Sequence, residues 1–312
     1  MRRIRKILSL LLVLCMLPVI TVSATGSDAG LESADEEEFR GMWVATVINL
    51  DYPSKTGLTV AEMKSEADEI LDSCAAMGFN AVIFQVRPCG DALYKSDIYP
   101  WSQYLTGTQG VAPADGFDPL QYWVEGAHAR GLELHAWINP YRVARNTTDI
   151  NSLSADNPAR QHPEWVVKHS DGHMYLDPGI PEVRKMVIDG VEEIVSNYAV
   201  DGIHFDDYFY PGGSNFADSA TYKKYGSGFS NIDDWRRNNT DLLVKETYDA
   251  IKAINSEIDF GISPFGIWAN KSTSELGSDT TGNQSYTYYY ADTRKWVKSG
   301  WIDYICPQLY WN

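Results

Sequence analysis

The stretch DGIHFDDYFYP, Asp201 to Pro211, decides how this chain is read. Ile203 and Phe205 belong to an apolar run, and the run ends on two adjacent carboxylates, Asp206 and Asp207. Unpaired carboxylates are costly to bury, so a strand that ends on them needs partners or a task for them. Residues two apart on a strand share a face. That pairs His204 with Asp206 and sends Asp207 to the other side, at the rim. The same device recurs along the chain. Gln85 pairs with Arg87 in NAVIFQVRP, His135 with Trp137 and Asn139 in LELHAWINPYR, and Gln308 with Tyr310 in WIDYICPQLYW; Ser263 takes the corresponding place in IDFGISPFG. Five strands with polar residues at their C-terminal ends point to a barrel whose strand ends converge on one mouth, where active sites of that fold lie.

Helical patterns alternate with these strands. TVAEMKSEADEILDSCAAMGF opens with Thr59 and Glu62 as a capping box, keeps Met63, Ala67, Ile70, Cys74 and Met77 on one face, and stops at Gly78. DPLQYWVEGAHARG repeats the arrangement with Asp118, Pro119, Gln121 and Gly131. Three more helices are expected over Pro181 to Tyr198, about Asp233 to Asn255, and about Asp292 to Ser299. With FRGMWVATVINLD at the front, six strands alternate with helices, the pattern of a parallel sheet covered by helices. No Gly-rich turn follows the first strand, which removes the dinucleotide-binding signature. The expected fold is α/β, a TIM (β/α)8 barrel. Six strands do not close it, so the sequence is expected to be a barrel truncated at its C-terminus, with an open sheet edge prone to association.

The N-terminus speaks of location. Arg2, Arg3, Arg5 and Lys6 precede an apolar run from Ile7 to Ile20, followed by TVSA. This is the layout of a secretory signal cleaved after Ala24, with an apolar run too short for a comfortable membrane span. Residues 25–37 are small and acidic and read as a disordered tether. Residues 38–312 then form the domain, secreted or associated with the cell wall, with no membrane span after cleavage. Losing four cations and no acids takes the formal charge from −16 to −20. Such acidity disfavours nucleic acid and anionic lipid as partners. Cys74, Cys89 and Cys306 remain, an odd and sparse set that is no disulfide framework. Cys74 on a helix and Cys306 in a strand read as small buried apolar residues, and one disulfide stays open.

Carboxylates in a mouth with Trp, Tyr, Asn and Arg suggest glycoside hydrolysis, which needs one carboxyl as acid and another as base or nucleophile. Trp101, Tyr141, Tyr208, Tyr310 and Trp311 are the candidate sugar-stacking rings, with core or rim packing as the competing reading of each. Arg87 and Arg142 follow strand ends, where a guanidinium would match a carboxylate such as the lactyl group of a muramic-acid sugar.

The segments RGMWVATVINLDYPS, FQVRPCGDALYKSDIYPWSQYLTG, HAWINPYR, YLDPGIPEVR, DGIHFDDYFYP and CPQLYW resemble the glycosyl-hydrolase-like family 10, secreted bacterial barrel proteins, in order from Phe39 to Trp311. The resemblance implies a barrel and action on cell-wall glycan, with peptidoglycan strands stripped of peptide as the leading substrate; no metal or other cofactor is expected. By motif it carries over Gln85, Arg87, Asp91, Asn139, Arg142, Asp177, His204, Asp206, Asp207, Tyr208, Gln308 and Tyr310. Family 18 chitinases end the comparable strand motif D-G-x-D-x-D-x-E on an acidic Glu, where this chain has Tyr208. The acid's work therefore falls to Asp206 or Asp207. Asp177 and Asp91 come next, each with a turn residue as its competing reading. Two rivals remain. HSDGH, His169 to His173, together with HFDD, resembles the motifs of metal-dependent polysaccharide deacetylases in reversed order, but also reads as a hairpin turn at Asp171 and Gly172. The second rival is a carbohydrate-binding barrel without catalysis.

Overall fold

The computed structural model describes residues 38–310 apart from 146 and 214. The expected leader and tether, residues 1–24 and 25–37, and Trp311 lie outside the described residues. Six strands, β1 (Gly41–Val44), β2 (Ala81–Arg87), β3 (Glu133–Ile138), β7 (Gly202–Phe205), β8 (Asp259–Ile262) and β9 (Tyr304–Ile305), form one parallel sheet in chain order. Helices α1 (Val60–Ala76), α2 (Pro119–His128), α3 (Pro181–Asn197), α4 (Ile232–Ile254) and α5 (Thr293–Ser299) lie in the connections, as the alternation predicts.

Local signals place these elements. Thr59 and Glu62 form the full capping box at the start of α1, and Gly78 takes the left-handed φ of +80° just past its end. At α2, Asp118 accepts the Gln121 backbone N–H, but the Gln121 side chain turns to Glu125 instead of closing the box. The core lies between sheet and helices. There Phe84 of β2 stacks on Trp123 of α2 with ring centroids 4.4 Å apart.

The sheet is strongly curled. Phe39, two residues before β1, packs its ring against Tyr304 of β9 at 5.0 Å. Six flat strands spaced by about 4.8 Å would hold those edges about 24 Å apart, further than two rings reach. Trp43 of β1 likewise meets His204 of β7 at 5.6 Å. Gly41, Gly202 and Gly261 leave this interior room for aromatic and imidazole side chains. An added Cβ at Gly261 would come within 1.9 Å of the Tyr304 ring.

A small second sheet was not legible in the sequence. β4 (Arg142–Ala144), β5 (Val166–Lys168) and β6 (Met174–Leu176) pair antiparallel in the order β4-β6-β5. The turn between β5 and β6 holds Gly172 at φ +83°, as the Asp171–Gly172 signal predicts. Cys306 falls just beyond β9, half-buried, rather than inside a strand. All three described cysteines are free thiols, and none is bridged. No helix of the described residues is long and apolar enough to cross a membrane.

Candidate active site

Asn139 follows β3, and its backbone N–H donates to the Arg87 carbonyl at 2.9 Å, carrying the pairing past the last strand residue. Its side chain belongs to a chain of amides whose direction is forced. The Thr46 and Val47 backbone N–H groups both donate to Gln85 Oε1 at 2.9 Å. Gln85 must therefore turn its NH2 group to Asn139 Oδ1, 2.6 Å away. Asn139 then has only its own NH2 group left, and donates it to Asp206 Oδ2. The other Asp206 oxygen accepts the Tyr208 backbone N–H at 3.1 Å. Asp206 is held from both sides.

Asp206 is 4% exposed and Asp207 6%. Burial pushes the Asp206 carboxyl up to about 7, and the neighbouring Asp207 charge acts in the same direction. Arg142, the Tyr208 N–H and the Asn139 amide pull it down and do not win. Burial raises Asp207 as well, against a hydrogen bond from Gln308. Strand parity alone sends Asp207 away from Asp206, and the structure departs from that. β7 ends at Phe205, so strict alternation ends with it. Gln308 Nε2 then reaches Asp207 Oδ1 at 3.0 Å and the Ser263 carbonyl at 2.8 Å. Burial thus raises both adjacent carboxyls, and a pair in which one carboxyl holds a proton and the other does not is the arrangement that can supply an acid beside a base or nucleophile.

Two adjoining hollows meet at Asp206, Tyr208 and Trp137. One, of 340 Å³, is walled by Gln85, Arg142 and Arg145 and by Asp171, His173 and Tyr175 of the small-sheet hairpin. The other, of 590 Å³, is walled by Trp43, Asp51, Asp207, Ser263, Gln308 and Tyr310. Arg142 lays its guanidinium over the Tyr208 ring at 4.7 Å and donates to the Pro88 carbonyl at 3.3 Å. Tyr208 is 41% exposed and Tyr310 89% exposed, so both rings have a face for a ligand. His204 lies beneath, fully buried, with Nε2 2.8 Å from the Ser263 hydroxyl. Burial, then the nearby His135, pushes its imidazole down to about 3, which keeps it neutral.

Five expected residues stand away from these hollows. β2 has a bulge between Gln85 and Arg87, so Arg87 lies opposite Ile138 and shares its facing, toward the helices. Its guanidinium sits over the Tyr99 ring at 4.3 Å and against Gly190 of α3, where an added Cβ would come within 2.5 Å of it. Tyr141 is fully buried in the main core, and Trp101 packs half-buried against that core. Asp177 accepts the Gly179 N–H at 2.9 Å and the Thr221 hydroxyl at 2.5 Å, shaping the turn into α3. Asp91 accepts the Gln109 amide at 3.0 Å in a buried loop. Burial lifts both of these carboxyls to about 6.

Residues outside the expected site complete the mouth. Trp43 and Trp137 have the same period-two signal as their polar neighbours, so their facing was readable. Asp51, Arg145, His173 and Tyr175 arrive on loops or the hairpin, where no periodicity points. Asp51 Oδ2 accepts the Ala45 N–H at 2.8 Å. No group of three or more His, Cys, Asp or Glu side chains suited to a metal ion occurs among the described residues.

The model of the family described as glycosyl hydrolase-like 10 matches residues 38–312. This chain belongs to that family. A glycosyl hydrolase from Bacillus subtilis strain 168, YngK, is 50% identical over 282 residues, covering 89% of this chain and 55% of that protein. A glycosyl hydrolase from Escherichia coli K12, DigH, is 43% identical over 310 residues, covering 94% of this chain and 70% of that protein. The chain thus spans about half the length of the Bacillus relative. Among solved structures, an α-L-fucosidase isoenzyme 2 from Paenibacillus thiaminolyticus overlaps 76% of this chain and 34% of its own, at 15% identity and a TM-score of 0.49.

Proposed function

We propose that the protein is a secreted glycoside hydrolase that cleaves cell-wall glycan, with peptidoglycan strands as substrate and the Asp206–Asp207 pair as its working carboxyls. In this reading residues 38–312 form a barrel domain of the (β/α)8 class, to which the six strands belong. Residues 1–24 are a cleaved leader, and residues 25–37 a tether. The observation that carries the proposal is the buried carboxyl pair at the junction of two aromatic-walled hollows. Burial raises both carboxyls, Asp206 to about 7. Membership of a glycosyl hydrolase-like family supports the same chemistry. A polymeric substrate suits two hollows that run to either side of the carboxyls, and Tyr208, Trp43 and Trp137 offer ring faces to sugar.

The test is to incubate the protein with purified peptide-free glycan strands and identify what is released by mass spectrometry. Shortened glycan fragments are expected. Tight binding with no fragments would make it a binding barrel, and acetate release abolished by chelation would make it a deacetylase.

Arg142 gives the proposal a pH signature. Its positive charge lowers the Asp206 carboxyl, so Arg142→Gln should raise that group further. If Asp206 ionisation sets the upper limb of activity, near pH 7 in the native protein, the limb should move to higher pH in the variant. An unmoved limb, measured as kcat/KM against pH, would assign it to another group. Arg142 and Arg145 also face the smaller hollow, where the lactyl carboxylate of a muramic-acid sugar would find its partner. Arg87 takes no part in that, since it faces the helices.

A further inference from the structure

An unbroken hydrogen-bonded line crosses the interior of the sheet from its far end to the mouth. Glu133 opens β3, and its Oε2 lies 3.3 Å from His135 Nε2. His135 Nδ1 lies 2.8 Å from the Tyr304 hydroxyl, which is also 3.0 Å from His204 Nδ1. His204 Nε2 lies 2.8 Å from the Ser263 hydroxyl, and Ser263 borders the larger hollow beside Asp206 and Asp207. Each link is within hydrogen-bond reach. Phe39 and Trp43 pack on the two imidazoles at 5.2 and 5.6 Å and shield the line.

The donors and acceptors allow one direction when both imidazoles are neutral. Glu133 carries a carboxyl lowered by its hydrogen bond to His135, so it is an acceptor only. His135 must then hold its single hydrogen on Nε2 and accept at Nδ1. The Tyr304 hydroxyl gives its hydrogen to His135, so its oxygen needs a donor from the other side. His204 Nδ1–H is that donor. A neutral His204 then accepts at Nε2, and the Ser263 hydroxyl points its hydrogen down at it. What Ser263 turns to the hollow is an oxygen with lone pairs and no hydrogen.

We infer that Ser263 is a substrate-binding acceptor for a sugar O–H or N–H donor, and that His204, Tyr304, His135 and Glu133 are positioning residues that fix its polarity from the opposite end of the sheet. The nature of the ligand rests on the glycan reading above; the polarity of the line does not. A serine hydroxyl free to rotate can match a donor or an acceptor with equal ease. One whose hydrogen is committed selects against acceptors, because two facing lone-pair oxygens leave a buried polar group unsatisfied. This adds a discrimination that the carboxyls cannot supply once one of them is protonated and becomes a donor.

The experiment reads histidine tautomers in the full chain without substrate. Histidine labelled with nitrogen-15 is followed by two-bond proton–nitrogen correlations at a pH near 8, well above the ordinary imidazole range of about 6.5. The chain has six histidines, and single His→Gln variants assign them. His204 is expected with its hydrogen on Nδ1 and His135 with its hydrogen on Nε2. Glu133→Leu removes the acceptor that sets the direction, at a position whose side chain is 55% exposed. His204, three hydrogen bonds further along, should then lose its preference and shift toward the Nε2–H form. Tyr304→Phe cuts the line and should release His204 in the same way while His135 keeps Nε2–H. A purely structural role for Glu133 would leave His204 unmoved. An Nε2–H tautomer for His204 in the unaltered protein, or an unchanged His204 in Glu133→Leu, would overturn the polarity. The ligand arm is separate: Ser263→Ala should weaken binding of glycan fragments about tenfold, the loss of one hydrogen bond. Unchanged affinity would remove Ser263 from the substrate site whatever the tautomers show.

Discussion

Asp206→Asn is expected to lower turnover on glycan strands by about a thousandfold or more, while the protein stays folded and holds its ligand. Asn keeps the shape and one acceptor but supplies neither an acidic proton nor a charge. Losing an essential acid, base or nucleophile removes about 4 kcal/mol of barrier lowering. The variant does lose a contact. The Asn139 amide and the Tyr208 N–H both donate to Asp206, and Asn offers them one oxygen instead of two, at a cost of about 1–3 kcal/mol. Against that stands the relief of a buried charge. Between the ordinary carboxyl range and about 7, folded Asp206 holds a proton that the unfolded chain has lost, so wild-type stability falls as pH rises through that window. Asn does not titrate, so the variant should gain on the wild type between about pH 4 and pH 7, by a few kcal/mol at most. Melting temperatures of both proteins across that range check the sign. Near-normal hydrolysis by Asp206→Asn would end the assignment. Asp207→Asn keeps an oxygen for Gln308, so lost turnover with retained affinity would place Asp207 in the chemistry rather than in loop support.

The strands, their order and five of the helices were legible because each has a local cause: a cap, a stop, or a repeat of two or 3.6 residues. The site was legible only as far as the period held. Gln85, Asn139, His204 and Asp206 sit at or near strand ends and converge as alternation predicts. Arg87 is one bulge further on, and that single extra residue turns it to the helices. No residue type announces a bulge in QVRP. Asp207 departs in the other direction. It joins the mouth because the strand has already ended, and Gln308, about a hundred residues later, meets it there. Tyr304 shows the remaining limit. Its ring fills the space left by Gly261 and its hydroxyl is shared by two histidines, a relation among four strands that no window of sequence contains. The hairpin that brings His173 and Tyr175 to the smaller hollow had a readable turn, but its pairing partner β4, which carries Arg142, is three residues long.

Asp218→Asn should be the most damaging substitution outside the mouth, costing about 3–5 kcal/mol of stability. Arg236 of α4 is 2% exposed and Asp218 fully buried, and the two meet through paired bonds of 2.8 and 2.6 Å. The same guanidinium donates to the Tyr290 hydroxyl at 2.8 Å and the Phe216 carbonyl at 3.1 Å, with the Tyr210 and Tyr290 rings at 5.8 and 5.0 Å. It ties the loop after β7, which begins at the carboxyl pair, to the segment after β8. Asn would leave a cation among tyrosines with its counter-charge gone and one acceptor replaced by a clashing donor. Arg236 cannot escape by deprotonation, since a guanidinium stays charged at any working pH even without its carboxylate partner. The exposed Asp233, 3.9 Å away, is too solvated to substitute. The cost should therefore come from the stranded charge more than from the lost bonds. The double variant Asp218→Leu with Arg236→Met separates the two. If the charge is the cause, denaturant unfolding should show the double variant recovering much of what Asp218→Asn loses. A double variant as unstable as the single one would mean that the fold needs the directed bonds themselves to hold the loop behind Tyr208 in place.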